Sequence, residues 1–283
     1  MITQALLPAA LAFIMFAMGL TMPARDFKVV FRRPRALVAG LLAKLVLVPL
    51  AGLAVVAAWR PEPDYAVGMI LLAACPAGVT SSLLTHHAGG RIALAASITA
   101  LTSLAASVSV PLLVNFGLTI FAGFDHAVDL PVTRMVLGIF LVDTVPLALG
   151  LGLARLAPDL ARRLARLARP AATALFALIV VGAFASQRDA LADHLTDVVP
   201  AALTLNLLAM GLAWSLGFGL DPVDRIAMVM ENGLQNGAVG IFVAVTLLGN
   251  PAMMVPSIVY ALVMNVTALG FIALVRRRFA VNR

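Results

Sequence analysis

Long runs of uncharged, apolar residues recur along this sequence of 283 residues. A run of about 20 such residues is long enough for an α-helix to cross the hydrocarbon core of a bilayer. Only 12% of the residues are charged, whereas a soluble domain carries roughly 25%. Because the chain lacks the polar residues to cover a water-facing surface, the sequence predicts an all-α polytopic membrane protein.

Apolar runs and the charges between them predict nine transmembrane helices. Most of the 20 Lys and Arg residues follow the odd-numbered spans. Positive residues mark the cytoplasmic side, so we expect the amino terminus outside and the carboxyl terminus in the cytoplasm. We expect the protein in the inner (cytoplasmic) membrane. The basic loops of this topology account for the net charge of +7, so the charge does not indicate a nucleic-acid partner. Residues 1–24 have no basic residue ahead of their apolar part, so no signal peptide is expected. The spans are roughly 4–23, 35–58, 66–87, 92–116, 131–154, 170–187, 198–218, 224–248 and 252–275.

Two of these spans are interrupted by Gly or Pro together with polar residues. The eighth span contains Glu231-Asn232-Gly233-Leu234-Gln235-Asn236-Gly237, and the third contains Cys75-Pro76-Ala77-Gly78-Val79-Thr80-Ser81-Ser82. Glycine weakens a helix, and polar groups in hydrocarbon are costly and usually functional. Paired interruptions in the two halves of a membrane protein are typical of the central binding site of a secondary transporter.

Three ionisable residues lie well inside the predicted spans, away from the span ends. Lys44 and Asp143 occupy the second and fifth spans, and Glu231 the eighth. A Lys at the bilayer centre costs about 2.5–3.5 kcal/mol, so it should face a partner or a wet cavity. Either carboxylate could be that partner, and the three could form a charge or proton relay. His and Cys are not at metal-ligand spacing, so no metal beyond Na⁺ is expected.

Three motifs resemble the bile acid:sodium symporter family. They are Phe13–Thr21, Cys75-Pro76-Ala77-Gly78 and Glu231-Asn232-Gly233-Leu234-Gln235-Asn236. The resemblance implies one transmembrane transporter domain over 1–283, with an inverted-repeat core and panel architecture and two crossed discontinuous helices, spans three and eight. The panel helices would be about 4–58 and 131–187, and the core helices about 66–116 and 198–275. The chain would start at the second helix of the ten-helix members.

The resemblance also implies two sodium positions. The first corresponds to Ser81, Ser82, Thr99 and Glu231, with Ser82 in place of an Asn and Ala95 in place of a hydroxyl residue. The second corresponds to Lys44, Glu231, Asn232, Leu234 and Gln235, with Lys44 in place of a Gln. We expect Lys44 to act as a tethered cation paired with Glu231, because an ammonium repels Na⁺ and takes its oxygens. This replacement argues against sodium coupling, and proton coupling through Lys44 and Glu231 is the alternative.

The family's substrate site would lie beside the crossing. The corresponding residues are Gly78, Val79, Thr80, Asn236 and Asn265. The implied function is secondary active transport of an organic anion by alternating access, without a cofactor; the oligomeric state is left open.

Three other functions are alternatives to this one. The first is a proton-coupled or uncoupled, sodium-independent carrier of a small carboxylate. The second is an intramembrane hydrolase using Ser81 or Ser82 with His86 or His87, which no serine-activating turn supports. The third, a passive channel, fits two broken helices with buried charges poorly.

Overall fold

The computed structural model describes residues 2–22, 33–78, 80–122 and 132–280, and these residues are almost entirely helical. Within them no β-strand forms, and the one extended contact is an isolated bridge. The helices are α1 (Ile2–Thr21), α2 (Pro34–Trp59), α3 (Pro63–Ala74), α4 (Ser81–Ala88), α5 (Ile92–Gly117), α6 (Val132–Leu156), α7 (Pro158–Ser186), α8 (Arg188–Leu216), α9 (Pro222–Gly233), α10 (Gly237–Phe242) and α11 (Val255–Ala280).

Six helices in the described ranges are long and apolar enough to cross a membrane. They are α2, α5, α6, α7, most of α8, and α11 with the short 3₁₀ turn before it. Three shorter apolar helices accompany them, at Ala5–Thr21, Pro63–Ala74 and Gly237–Leu247. Large side chains such as Leu112 and Leu178 are exposed on the outer faces, as suits contact with lipid. The chain is therefore a multi-pass membrane protein, as its composition predicts.

Helices α7 and α8 begin earlier than the sequence predicts. The sixth span was expected to start near residue 170, but α7 begins at Pro158 and passes through Pro170 without a break. The seventh was expected near 198, but α8 begins at Arg188 and contains Pro200. Arginines spaced among Leu and Ala form the amphipathic first half of α7, so the hydropathy alone underestimates its length. Most of the connection between the fourth and fifth predicted spans lies outside the described residues.

Both predicted interruptions are present, and they contact each other. α3 ends at Ala74 and α4 begins at Ser81, while α9 ends at Gly233 and α10 begins at Gly237. The two connecting segments pair as short antiparallel backbone, with Ala77 opposite Gln235. The amide of Asn236 donates to the carbonyl of Pro76 at 2.8 Å, and the amide of Gly78 donates to Leu234 at 3.3 Å. These bonds satisfy backbone groups that no helix serves.

Gly78 is required by this close approach. A Cβ built at Gly78 would lie 2.8 Å from the carbonyl oxygen of Gln235, which is closer than carbon and oxygen atoms approach without a bond. The second interruption could not reach the first if residue 78 carried a side chain.

The helices pack in two groups around these interruptions. α1 packs against α6 and α7, and Gly19 and Gly150 bring the backbones of α1 and α6 into direct contact, as small residues do between membrane helices. α2 packs instead against α8 and α3. Every residue of α3 from Tyr65 to Ala74 is buried, so α3 lies at the centre of the larger group.

Candidate functional site

Lys44 lies at the point where the two interruptions meet. Its side chain is 2% exposed. The ammonium donates to Gln235 Oε1 at 2.6 Å and to the main-chain carbonyl of Glu231 at 3.2 Å. In the described part of the chain these two oxygens are its only hydrogen-bond partners. Two of the oxygens expected at the second sodium position are therefore bound by the protein's own cation.

The predicted pairing of Lys44 with Glu231 takes a different form. The ammonium contacts the carbonyl of Glu231, not its carboxylate. The fully buried carboxylate accepts a hydrogen bond from Thr99 Oγ1 at 2.5 Å through Oε2. Thr99 lies on α5 and Glu231 on α9, so this bond joins two helices. The difference arises because Glu231 is in the last helical turn before the break, where main-chain carbonyls lack helical partners.

The residues expected at the first sodium position are brought together in part. Ser81 lies at the start of α4, and its hydroxyl interacts with the Glu231 carboxyl without reaching ordinary hydrogen-bond geometry. Among the described residues, Glu231 Oε1 and Ser81 Oγ are both buried without a hydrogen-bond partner. Unpaired buried oxygens of this kind are ligands that a hard cation or a proton satisfies. The structure thus groups Ser81, Thr99 and Glu231.

Ser82 is directed elsewhere. It lines a cavity with Thr80 on the other side of α4. Ala95 is buried, and its carbonyl oxygen lies 3.1 Å from Thr99 Oγ1, whose single hydrogen is shared between this carbonyl and Glu231. The two departures from the resemblance at the first sodium position, Ser82 and Ala95, therefore bring no side-chain oxygen to Glu231 in the described contacts.

The remaining residues expected at the second sodium position stabilise the break itself. The carbonyl of Leu234 accepts the Gly78 amide. Asn232 Nδ2 donates to Met228 O at 2.8 Å, and Asn232 O accepts from Gln235 Nε2 at 3.3 Å. Gln235 is thus held at both ends of its amide, since its oxygen accepts from Lys44. Asn232 Oδ1 is buried without a partner in the described part of the chain.

Asn206 and Tyr260 also hold the break, and the sequence did not indicate this role for Tyr260. Asn206 Nδ2 and the Tyr260 hydroxyl donate to Gly233 O at 2.8 Å and 2.9 Å. Asn206 Nδ2 also lies 3.0 Å from the Tyr260 oxygen. Both side chains are fully buried. Asn206 is a polar residue in the middle of an apolar span, and this position is the one sign of a role that the sequence offers. The contact itself could not be predicted, because only the fold shows that α8 passes the end of α9.

Asp143 is the third of the ionisable residues expected in the middle of a span, and the structure does not bond it to Lys44. Its side chain is 1% exposed. Ser103 interacts with it, but neither carboxyl oxygen has a hydrogen bond of ordinary geometry among the described residues. The contacts therefore give no direct link between Asp143 and the other two members of the expected relay.

Lys44 and Asp143 each lie in a single π-helical turn. The turns are Ala43–Leu47 in α2 and Phe140–Thr144 in α6, and a proline follows each one. Pro49 and Pro146 have no amide hydrogen and clash with the carbonyl four residues before them, so the helix relaxes to a wider turn. Such turns are frequent at functional sites.

The expected substrate residues are not all brought together. Gly78 and Thr80 lie at the start of α4, and Thr80 Oγ1 has no partner among the described residues. Asn236 Oδ1 accepts the Val239 amide and so caps α10, while its Nδ2 lies 3.4 Å from Met15 Sδ. Asn265 donates to Ala261 of its own helix at 2.6 Å. Val79 lies outside the described residues.

A polar crevice separates α4 from α1 and α7. It has a volume of about 280 Å³. Its wall includes Thr80 just before α4, Ser82 and His86 of α4, and Arg169 of α7. From the sequence, Arg169 belongs to the basic segment between the fifth and sixth predicted spans, and no site role is predicted for it. The crevice reaches Thr80, next to the interruption.

Neither serine at the start of α4 forms a catalytic pair. In the described part of the chain no hydrogen bond joins Ser81 or Ser82 to a histidine, and the His87 ring contacts Leu83 O. The described residues also contain no cluster of three or more His, Cys, Asp or Glu side chains that could hold a metal ion.

Salt bridges connect the amino-terminal ends of α2, α5 and α9. Arg33 and Arg91, just before α2 and α5, both pair with Asp221 and Asp224 at the start of α9. Hydrogen bonds from Arg33 to Asp224, and then to Asp221, raise the pKa of this exposed guanidinium. The cluster holds α9 against α5, so the Thr99–Glu231 contact farther along the same helices is kept in register.

Comparisons with known proteins agree with the resemblance. Residues 8–194 match the model of the sodium bile acid symporter family. A rice (Oryza sativa subsp. japonica) protein called "Probable sodium/metabolite cotransporter BASS1, chloroplastic" is 29% identical over 252 residues, covering 87% of this chain and 60% of the relative. The Bacillus subtilis "Uncharacterized sodium-dependent transporter YocS" is 29% identical over 268 residues, covering 91% of this chain and 78% of the relative.

An animal relative matches over a similar extent. The human "Ileal sodium/bile acid cotransporter" is 25% identical over 245 residues, covering 83% of this chain and 67% of the relative. The chain thus spans about 60% of the length of the rice protein and more of the bacterial and human ones.

Proposed function

The chain belongs to the sodium bile acid symporter family, whose members are transporters and not enzymes, and we propose that it is a secondary active transporter of an organic anion. The observation that carries the proposal is the hydrogen-bonded meeting of two broken helices beside the buried Lys44, Gln235 and Glu231. Irregular backbone at membrane depth is tolerated where it is buried in protein or lines a cavity. Transporters place substrate and ion sites at such breaks.

Alternating access would move α1, α6 and α7 against the other helices. These three pack mainly on one another, and the polar crevice opens between them and α4. The packing of α2 against α8 and α3 favours placing α2 in the core, not in the panel that 4–58 would give. Counting α3 with α4 and α9 with α10 as single spans gives nine spans, with the amino terminus outside.

Lys44 serves in this proposal as a permanent occupant of the second cation position. Its ammonium takes the Gln235 side-chain oxygen and the Glu231 carbonyl, both of which Na⁺ would need. A bound Na⁺ beside the ammonium would meet like-charge repulsion in a region of low dielectric. Sodium therefore does not bind at the second position.

The first position is left to couple transport to a proton or a weakly held Na⁺. The Glu231 carboxyl and the Ser81 hydroxyl supply the unpaired oxygens there. A full sodium shell needs more oxygens than these residues bring, whereas a proton needs only the carboxyl. Proton coupling through the Glu231 carboxyl, beside the permanent cation of Lys44, is favoured over sodium coupling; an uncoupled carrier is the remaining alternative.

The substrate is proposed to be a small organic anion that enters by the polar crevice. Arg169 supplies a positive charge at the crevice, and Thr80, Ser82 and His86 supply hydrogen-bonding groups. The amino-terminal end of α4, with its partial positive charge, faces the same region. A volume of about 280 Å³ suits a short carboxylate better than a steroid.

Uptake into proteoliposomes tests this function. The purified protein is reconstituted, and a labelled keto acid and a labelled bile acid are offered under a sodium gradient, a proton gradient or no gradient. We expect accumulation of the small acid driven by protons, little affected by replacing Na⁺ with K⁺. Accumulation that requires sodium, or no gradient-dependent uptake of either acid, would refute the proposed coupling or the proposed transport respectively.

A further inference from the structure

An apolar groove lies between α8 and α11 on the outside of the helix bundle. Its volume is about 810 Å³, within the range of roughly 300–1,000 Å³ found for ligand pockets. Val229 of α9 is part of its wall. The main lining side chains are Leu207, Met210 and Trp214 from α8 and Phe271 and Leu274 from α11.

The groove widens at two glycines. A Cβ built at Gly211 or at Gly270 would meet no atom within 4 Å. Both residues line the groove, one on each helix. The space is therefore open along its length and is not filled by this chain's own described side chains.

Only two of the lining side chains carry a hydroxyl or a charge. The Thr267 hydroxyl donates to Val263 O and Met264 O of its own helix, which leaves Arg277 as the polar group facing a ligand. Arg277 forms no ion pair with any described residue. An apolar wall that ends at one unpaired guanidinium is complementary to an amphiphile with a single anionic head.

Two other described arginines near the groove, Arg276 and Arg225, already have partners. Arg276 donates to His87 O at 3.0 Å. Arg225 lies over the Trp214 ring at 3.6 Å and donates to Trp214 O at 2.7 Å. Arg277 also lies in the basic segment that the proposed orientation places at the cytoplasmic leaflet, where anionic lipids attract positive residues.

We propose that this groove is a binding site for an anionic phospholipid of the cytoplasmic leaflet. One acyl chain lies between α8 and α11 along Trp214, and the phosphate bonds to the Arg277 guanidinium. The charge selects anionic over zwitterionic headgroups, since a guanidinium binds phosphate in a forked geometry. The site is separate from Lys44 and Glu231.

Tryptophan quenching by brominated lipid tests the site without a transport assay. The chain has two Trp residues, so Trp59→Phe leaves Trp214 as the only fluorophore. In bilayers of dibrominated phosphatidylcholine, unbrominated phosphatidylglycerol or phosphatidylcholine competes for the groove. We measure the competition ratio, which is the apparent affinity of phosphatidylglycerol for the groove divided by that of phosphatidylcholine. We expect a ratio of about five, because one basic residue attracts an anionic lipid by roughly 1 kcal/mol. Arg277→Gln should reduce the ratio to about one, whereas Arg163→Gln, another exposed arginine, should leave it unchanged.

A second pair of variants separates a lipid from a second copy of the chain. Gly270→Leu fills the groove and should lower the quenching of Trp214, whereas Gly182→Leu, at an equally open glycine outside the groove, should not. A ratio of one in the Trp59→Phe protein, or a ratio that Arg277→Gln does not change, would overturn the proposal. Gly270→Leu converting a dimer to a monomer, with Trp214 insensitive to lipid, would instead assign the groove to a protein interface.

Discussion

The ammonium of Lys44 lies 2.6 Å from the side-chain oxygen of Gln235, and it bonds the main-chain carbonyl of Glu231 as well. This relationship connects α2 to the segment between α9 and α10. The family resemblance places a sodium ligand at residue 44, and the chain supplies a cation instead.

Glu231→Gln should abolish transport while the fold is retained. The substitution keeps the volume and the hydrogen bond to Thr99 but removes the charge that a proton or cation would neutralise. We expect uptake to fall by more than about tenfold, because a tenfold change corresponds to about 1.4 kcal/mol of free energy. Glu62→Gln changes an exposed carboxylate and should leave uptake unchanged. Equal uptake by both variants would remove Glu231 from the mechanism.

Gly78→Ala should separate the two interrupted helices. The added Cβ would meet the carbonyl of Gln235, and such overpacking costs roughly 1–3 kcal/mol. We therefore expect a lower melting temperature in detergent and a loss of uptake. Gly182→Ala is the control, because a Cβ there meets nothing within 4 Å. If Gly78→Ala melts at the same temperature as Gly182→Ala, the close contact of the two segments is wrong.

Tyr260→Phe should destabilise the end of α9. Removing the hydroxyl takes one donor from Gly233 O and one partner from Asn206. Hydrogen bonds between membrane helices contribute about 0.6 kcal/mol on average and up to about 1.7 kcal/mol, and we expect a loss in that range. Tyr65→Phe is the control, since Tyr65 stacks on His194 and its hydroxyl bonds no described residue. Equal unfolding midpoints for the two variants would contradict the assigned bonds.

Arg169→Gln should weaken the binding of an anionic substrate without affecting the fold. A loss of roughly 1 kcal/mol corresponds to an increase of about fivefold in KM. The maximal rate should change little, because Arg169 lines the crevice and does not contact Glu231. Arg163→Gln removes an exposed charge of the same helix outside the crevice and serves as the control. An unchanged KM in the Arg169 variant would place the substrate path elsewhere.

Both interruptions and the burial of Lys44 could be predicted from the sequence, because a Pro or Gly next to polar residues is visible in any apolar span. The direction of Ser82 could not, since it depends on how α4 is rotated after the break. The hydrogen bond from Tyr260 to Gly233 could not be predicted either, because nothing in the sequence shows that α11 lies beside the end of α9. The prolines Pro49 and Pro146 are the sequence feature that accompanies the π-helical turns at Lys44 and Asp143. The turns were not predicted, because a hydropathy pattern does not depend on the helix type.

The central claim is that Lys44 closes the second cation position to sodium. A sodium titration of the purified protein, read as the shift in melting temperature against equal concentrations of potassium, measures this directly, because a ligand that binds the folded state raises its stability. For the unmodified protein we expect no sodium-specific shift, and for Lys44→Gln a saturable rise as the amide restores a ligand. A saturable sodium-specific rise in the unmodified protein that Lys44→Gln leaves unchanged would contradict the claim.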